Sequence, residues 1–131
     1  MREARNPGSI HAPFGAYSHQ IELRGEDRML VLAGQVGVAP DGHMPEDVAE
    51  QFDLALANVL RNLEAASMDV GDLIKMTLYF TEPVDADRRR AILAGRLGHH
   101  EPCMTLLYVA GLAAPSIKAE VDAWASAAGP A

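Results

Sequence analysis

The sequence predicts an α+β fold in which two helices pack on one face of a mixed β-sheet. Three observations carry this expectation. Apolar residues recur at spacings of three and four from Val48 to about Ala66, and they alternate one for one from Ile117 to Trp124. The segments around them switch between these two periods in the order strand, strand, helix, strand, helix, strand, strand. With 131 residues and no break in composition, a single domain over 1–131 is expected, with both termini frayed.

The first strand is expected within "GAYSHQIEL", Gly15 to Leu23, where Tyr, Ile and Leu roughly alternate with polar residues. The second falls in "RMLVLAGQVGVAP", Arg28 to Pro40, and the turn chemistry of "RGED" between them predicts a hairpin, with an extra short strand around Val36 to Val38. Gly34 and Gly37 interrupt the second run, and glycine inside a strand marks a bulge or the close approach of another backbone or a ligand. Pro45, Glu46 and Asp47 suit the first turn of a helix. That helix buries Val48, Phe52, Ala55, Leu56, Val59, Leu60 and Leu63, while Glu50, Gln51, Asp53, Asn58, Arg61 and Glu64 fall mostly elsewhere. "SMDVGD" ends it, and "LIKMTLYFT", Leu73 to Thr81, has the β-branched and aromatic content of a strand. A shorter helix follows from about Val84 to Leu97, closed by Gly98. "CMTLLYVAGL" and "SIKAEVDAWA" are the last strands, and the tail "SAAGPA" has too little to bury. Two helices cover one sheet face only, so the other, carrying Met104, Leu106, Tyr108 or Trp124, predicts an oligomer.

A hydrophobic content of 49% with 22% charged residues is ordinary for a soluble protein, and no apolar run approaches the roughly 18 residues of a membrane span. The polar N-terminus lacks the apolar core of a secretory signal, so a cytoplasmic protein with no membrane partner is expected. One cysteine makes no internal disulfide, which fits a reducing compartment. Cys103 is either a buried small hydrophobe or a site thiol, and free cysteines are commonly buried. The net charge of −7, from 11 Lys and Arg against 18 Asp and Glu, repels a phosphate backbone and argues against nucleic acid as a partner. The basic run at Asp87 to Arg90 reads as a solvated helix face. His99 and His100 are adjacent and point apart on any regular element, so no metal site is expected.

Three stretches resemble the Rid family, also called YjgF-like proteins and, in older usage, L-PSP endoribonucleases: "PFGAYSHQIEL", the segment from "LAGQVGVAPDG" to "MTLYFTE", and "PCMTLLYVAGL" with "IKAEVDAWA". The likeness covers roughly residues 12–126. It implies a chorismate-mutase-like fold, a homotrimer with small-molecule clefts at its subunit interfaces, and hydrolysis of reactive enamines and imines without metal or organic cofactor. By the same resemblance, Gly15 and Tyr17 match the family's Gly-x-Tyr, whose tyrosine lines the cleft, and Gly34 and Gln35 match its Gly-Gln. Ala33 stands where a serine or threonine is usual. Glu120 matches the acid that positions water or relays a proton.

The departure lies in "PCMT". Family deaminases read Pro-x-Arg-[Ser/Thr] at this point, and the arginine grips the substrate carboxylate through its planar fork of donors. Here Pro102 and Thr105 keep the register and Met104 stands in the arginine's place. Tyr108 occupies a position where deaminases often carry an acid, and the loop between Leu112 and Ile117 is one residue longer. The candidate site is therefore Glu120 and Tyr17 as catalytic groups, with Gly34, Gln35, Cys103, Met104 and Thr105 contacting the ligand. His19 shares Tyr17's face if both lie on a strand. The resemblance implies an enamine or imine hydrolase, and Met104 in place of the arginine argues against the typical 2-aminoacrylate as its substrate. A non-catalytic small-molecule-binding or interaction trimer is the alternative, and an endoribonuclease ranks last.

Overall fold

The computed structural model describes residues 1–25 and 27–129. Among these the elements run β1 (Arg2–Arg5), β2 (Gln20–Leu23), β3 (Arg28–Val36), α1 (Val48–Ala65), β4 (Leu73–Phe80), α2 (Ala86–Leu97), β5 (Cys103–Tyr108) and β6 (Ala119–Ala127), with a 3-10 turn over Val70–Asp72. Helix α1 starts where its cap sets it: the Asp47 carboxylate accepts from the Glu50 N–H at 3.0 Å. Its apolar stripe is buried as the spacing demands, with Phe52, Ala55 and Val59 at 0% exposure. It ends through Ser67, in the left-handed region at φ 57°, while the Met68 N–H returns to Leu63 O at 2.8 Å. Asp85 caps α2, and Gly98, at φ 61°, closes it.

Strands β3, β6, β4 and β5 form one sheet in that order. β6 runs antiparallel to both neighbours, and β4 runs parallel to β5, as a crossover through α2 requires. α1 lies across β3 and β6, and α2 packs beside α1. The predicted class, two helices on a mixed sheet, is the one observed. Along β6, Ala119, Val121, Ala123 and Ala125 are fully buried toward the helices, while Glu120, Asp122 and Trp124 face the opposite, open side. Phe52 and Phe80 meet edge to face at 5.1 Å in the centre of the core, a pairing worth about 0.5–1.5 kcal/mol beyond its area.

Several expectations need correction. The N-terminus, expected to fray, forms β1, and β2 pairs with β1 in a separate two-stranded ribbon rather than making a hairpin with β3. Ion pairs hold that ribbon, Arg5 to Glu3 and Glu22, and Arg24 to Glu22, together with the terminal amine on Asp27. β2 begins only at Gln20, so Tyr17 lies in a loop. There is no separate strand over Val36 to Val38, because β3 continues through its bulge to Val36. Ser126 and Ala127, placed in the frayed tail, belong to β6. Met104 and Leu106 pack against the core, so the open face exposes Met29, Val31, Leu107 and Trp124 in their stead, with Tyr108 exposed at the sheet edge. The turn residue Glu26 and the tail residues Pro130 and Ala131 lie outside the described residues.

The ribbon sets a pH dependence. Hydrogen bonds from Arg24 and Arg5 lower the Glu22 carboxyl to about 2. A carboxylate depressed in the folded state stabilises it fully above the ordinary glutamate range, and that contribution disappears as pH falls toward the folded value. Protection factors for amide exchange across β1 and β2, referenced to the intrinsic rate at each pH, are therefore expected to fall on acidification from about 4.5 to 2, ahead of those in β6.

Gly37 is needed for packing. A Cβ there would stand 2.6 Å from Gln51 Cα, where β3's exit passes under the first turns of α1. The Gln51 atoms that it would meet all belong to backbone, so nothing can swing aside. Gly37→Ala is expected to lower the Tm by on the order of 10 °C in a thermal melt, the cost of an overpacked core.

Candidate functional site

Glu120 and Gly34 are brought together by the bulge that the glycines of β3 predict. The β3–β6 register slips between Leu32 and Gln35, leaving Val36 opposite Glu120. The Glu120 side chain lies back over Gly34, so that a Cβ on Gly34 would stand 2.6 Å from Glu120 Cδ. Only glycine leaves room for this carboxylate. Glu120 is half-buried, and among the described residues no cation lies within ion-pair distance of it. Gln35 follows directly, its amide donating to Ala33 O at 2.8 Å.

The other candidates gather elsewhere. Ser18, next to Tyr17, donates from its N–H to Pro102 O at 3.2 Å and from its hydroxyl to Glu101 O at 2.7 Å. The Tyr17 loop is thereby fastened to the turn that leads into Cys103. The Tyr17 hydroxyl accepts from the Phe14 N–H at 3.1 Å, and its ring meets His19 edge to face at 5.6 Å. So Tyr17 and His19 are neighbours, though through a loop rather than along a strand. A shallow pocket of about 310 Å³ opens beside this loop, lined in part by Arg2, Ser18, His100 and Glu101.

β5 divides the remaining three. Met104 pairs in register with the fully buried Met76 and faces the helices, whereas Cys103 and Thr105 pair with Lys75 and Thr77 and face the open side. Thr105 accepts a hydrogen bond from Lys75 Nζ at 2.6 Å. Burial pushes the Cys103 thiol up and Lys75 only partly opposes it, so the sulfur stays protonated at neutral pH and is a poor nucleophile. β4 lies between β5 and β6, which puts Thr105 roughly 10 Å across the sheet from the Glu120 strand. In one chain, then, Glu120 with Gly34 and Gln35 forms one centre, the Tyr17 loop is tied through Ser18 to the turn before Cys103, and Met104 points away from Glu120.

The sequence reading missed the polar row beside Glu120. Tyr79 sits opposite Glu120 and donates its hydroxyl to Asp122 Oδ2 at 2.9 Å. That hydrogen bond, then burial and the charge of Asp122, raise the Tyr79 pKa. The alternation of Lys75, Thr77 and Tyr79 with Met76, Leu78 and Phe80 is the pattern that places these side chains on the open face.

The family model described as Endoribonuclease L-PSP matches residues 9–127. Among curated relatives, the putative reactive intermediate deaminase TdcF of Escherichia coli is 33% identical over 123 residues, 91% of this chain and 89% of that protein. The 2-iminobutanoate/2-iminopropanoate deaminase of the same organism is 31% identical over 116 residues, 86% of this chain and 88% of that one. Among solved structures, YyfB of Yersinia pestis, from the Rid family, superposes with a TM-score of 0.80 at 25% identity, covering 95% of this chain and 97% of its own. E. coli TdcF with bound serine superposes at 0.70 with 31% identity, covering 88% and 91%. The family model and these relatives match nearly the whole length of the chain, and the chain belongs to the Rid family, the endoribonuclease L-PSP family of older usage.

Proposed function

We propose that this protein hydrolyses small imines or enamines, with Glu120 as the proton-handling group, and that it works as a homotrimer whose ligand sites lie between copies. The single observation that carries this is the Glu120 carboxylate, without an ion-pair partner among the described residues and laid over a glycine that makes room for it. Two E. coli relatives, one named a putative reactive intermediate deaminase and the other a 2-iminobutanoate/2-iminopropanoate deaminase, support the same chemistry.

Hydrolysis of R2C=NH by water gives R2C=O and ammonia. The imine nitrogen takes a proton and water adds to carbon, giving a carbinolamine. A second proton then moves to nitrogen, the C–N bond breaks, ammonia leaves with the electron pair, and the hydroxyl proton is released to solvent, balancing the one that the imine nitrogen first took up. Glu120 takes the proton from the attacking water and returns it to nitrogen, so the carboxylate is regenerated in each cycle. Gly34 and Gln35 offer backbone beside it, and Tyr17 supplies a hydroxyl once a neighbouring copy brings its loop to this centre.

The separation of the candidates supports a shared site. Glu120 and Met104 face opposite sides of one sheet, so a cleft that contains both draws them from different copies. Met29, Val31, Leu107 and Trp124, all more than 40% exposed on the open face, supply the apolar contact. With Met104 in place of an arginine, the substrate lacks the usual carboxylate or presents it to another cation. A net charge of −7 works against a ribonuclease.

The test is ammonia release from a panel of neutral and carboxylate-bearing imines, on protein whose mass in solution is determined alongside. Turnover above the spontaneous rate by a trimer is the expected result. A correctly assembled trimer that hydrolyses none of the panel would favour a binding scaffold.

A further inference from the structure

Two side-chain amides on α1, seven residues and two helical turns apart, each hold one of the two strands that make the Glu120 centre. Gln51 is fully buried. Its Nε2 donates to Pro45 O at 2.8 Å and Ser116 O at 2.9 Å, and its Oε1 accepts from the Lys118 N–H at 2.8 Å. Two of these bonds fix the chain just before β6, up to two residues ahead of Glu120, and the third ties the loop before α1 to the same buried amide. Asn58 does the equivalent for β3: its Nδ2 donates to Val36 O and Val38 O, both at 2.9 Å, just past the bulge that holds Gly34 and Gln35. Arg61 donates to Asn58 Oδ1 at 2.7 Å and sets the orientation of that amide. Gly37, between the two carbonyls held by Asn58, is the residue on which the Gln51 backbone rests.

We infer that Gln51 and Asn58 are positioning residues for Glu120, a two-amide bracket by which α1 sets where the carboxylate sits over Gly34. This rests on Glu120 handling the protons of the proposed hydrolysis. Simple burial does not explain the arrangement. An apolar side chain would fill the Gln51 position at lower desolvation cost, whereas the amide pairs with two backbone groups of the loop before β6 and one of the loop before α1. A shift of about 1 Å in a reacting group is enough to cost on the order of 100-fold in rate, so the bracket matters at the scale of hydrogen-bond lengths.

The experiment is a double-mutant cycle on imine hydrolysis, using Gln51→Met, Asn58→Ala and Glu120→Gln. Gln51→Met keeps the volume and removes all three hydrogen bonds. Asn58→Ala acts at a less buried position and serves if the first variant fails to fold, as judged by near-UV circular dichroism. Each is expected to lower kcat by about 10-fold or more with KM little changed, and by less than about twofold when Glu120 is already Gln. Equal losses in both backgrounds would overturn the inference, because they would mean a general loss of structure.

A second readout does not depend on turnover. In substrate-free protein, the carboxyl carbon resonance of Glu120 and the amide of Gly34 are expected to move in both bracket variants. If the wild type hydrolyses no imine and these resonances still move, the proposed function fails and the bracket stands. If they stay in place, the bracket is wrong whatever the activity.

Discussion

Glu120→Gln is expected to lower imine hydrolysis by about 10²- to 10⁴-fold, the usual worth of a positioned acid–base group, while leaving the fold intact. The fold should survive because, among the described residues, the carboxylate has no ion-pair partner to strand and because glutamine is nearly isosteric. A glutamine amide does not accept a proton from water at any useful rate, so the loss falls on kcat and not on KM. Gly34→Ala is the companion variant. Its methyl group meets a flexible carboxylate and not backbone, so Glu120 is displaced, activity falls, and the melting temperature changes little. The contrast with Gly37→Ala, where backbone meets backbone and stability is lost, separates the glycine that serves the site from the one that serves packing. Steady-state ammonia release and thermal melts on the three variants check both statements.

Met104→Arg is expected to raise kcat/KM for a carboxylate-bearing imine by about 10- to 100-fold over the wild type, corresponding to the roughly 1.5–3 kcal/mol of a charge-assisted, bidentate hydrogen-bond pair. Met104 lies on β5, an edge strand, and is only partly buried against the core. An arginine there keeps its alkyl stem on the apolar surface and carries its guanidinium past the sheet edge. Neutral imines should gain nothing from the change. An arginine variant that folds and assembles but shows the wild-type preference would mean that residue 104 does not face the ligand.

The sequence made α1 legible almost to the residue, Val48 to about Ala66 against Val48–Ala65, because a stripe at three and four spacing and an acidic first turn act within one segment. The glycines of β3 likewise announced their bulge and their close neighbours. Hydrophobic periodicity is blind to β1: Arg2, Glu3 and Arg5 carry no apolar alternation, and the ribbon stands on ion pairs to residues some twenty positions away. The same blindness hid the bracket. Gln51 falls three residues after Val48 and four before Ala55, on the buried stripe itself, and a polar residue in that position is a sign of a buried hydrogen-bond set. Grouping it with the solvated residues of α1 overlooked that sign. Cys103, Met104 and Thr105 were adjacent in sequence and read as one lining, yet the twofold alternation of a strand sends Met104 to the face opposite the other two. How copies of the chain would assemble is a property that local pattern does not encode.

The most direct measurement is kcat/KM for two imines of equal size, one neutral and one bearing a carboxylate, the latter generated in place by a dehydratase. The wild type should hydrolyse the neutral imine well above the spontaneous rate and faster than the carboxylate-bearing one. A wild type that prefers the carboxylate-bearing imine would contradict the role assigned to Met104, and one that accelerates neither would contradict imine hydrolysis itself.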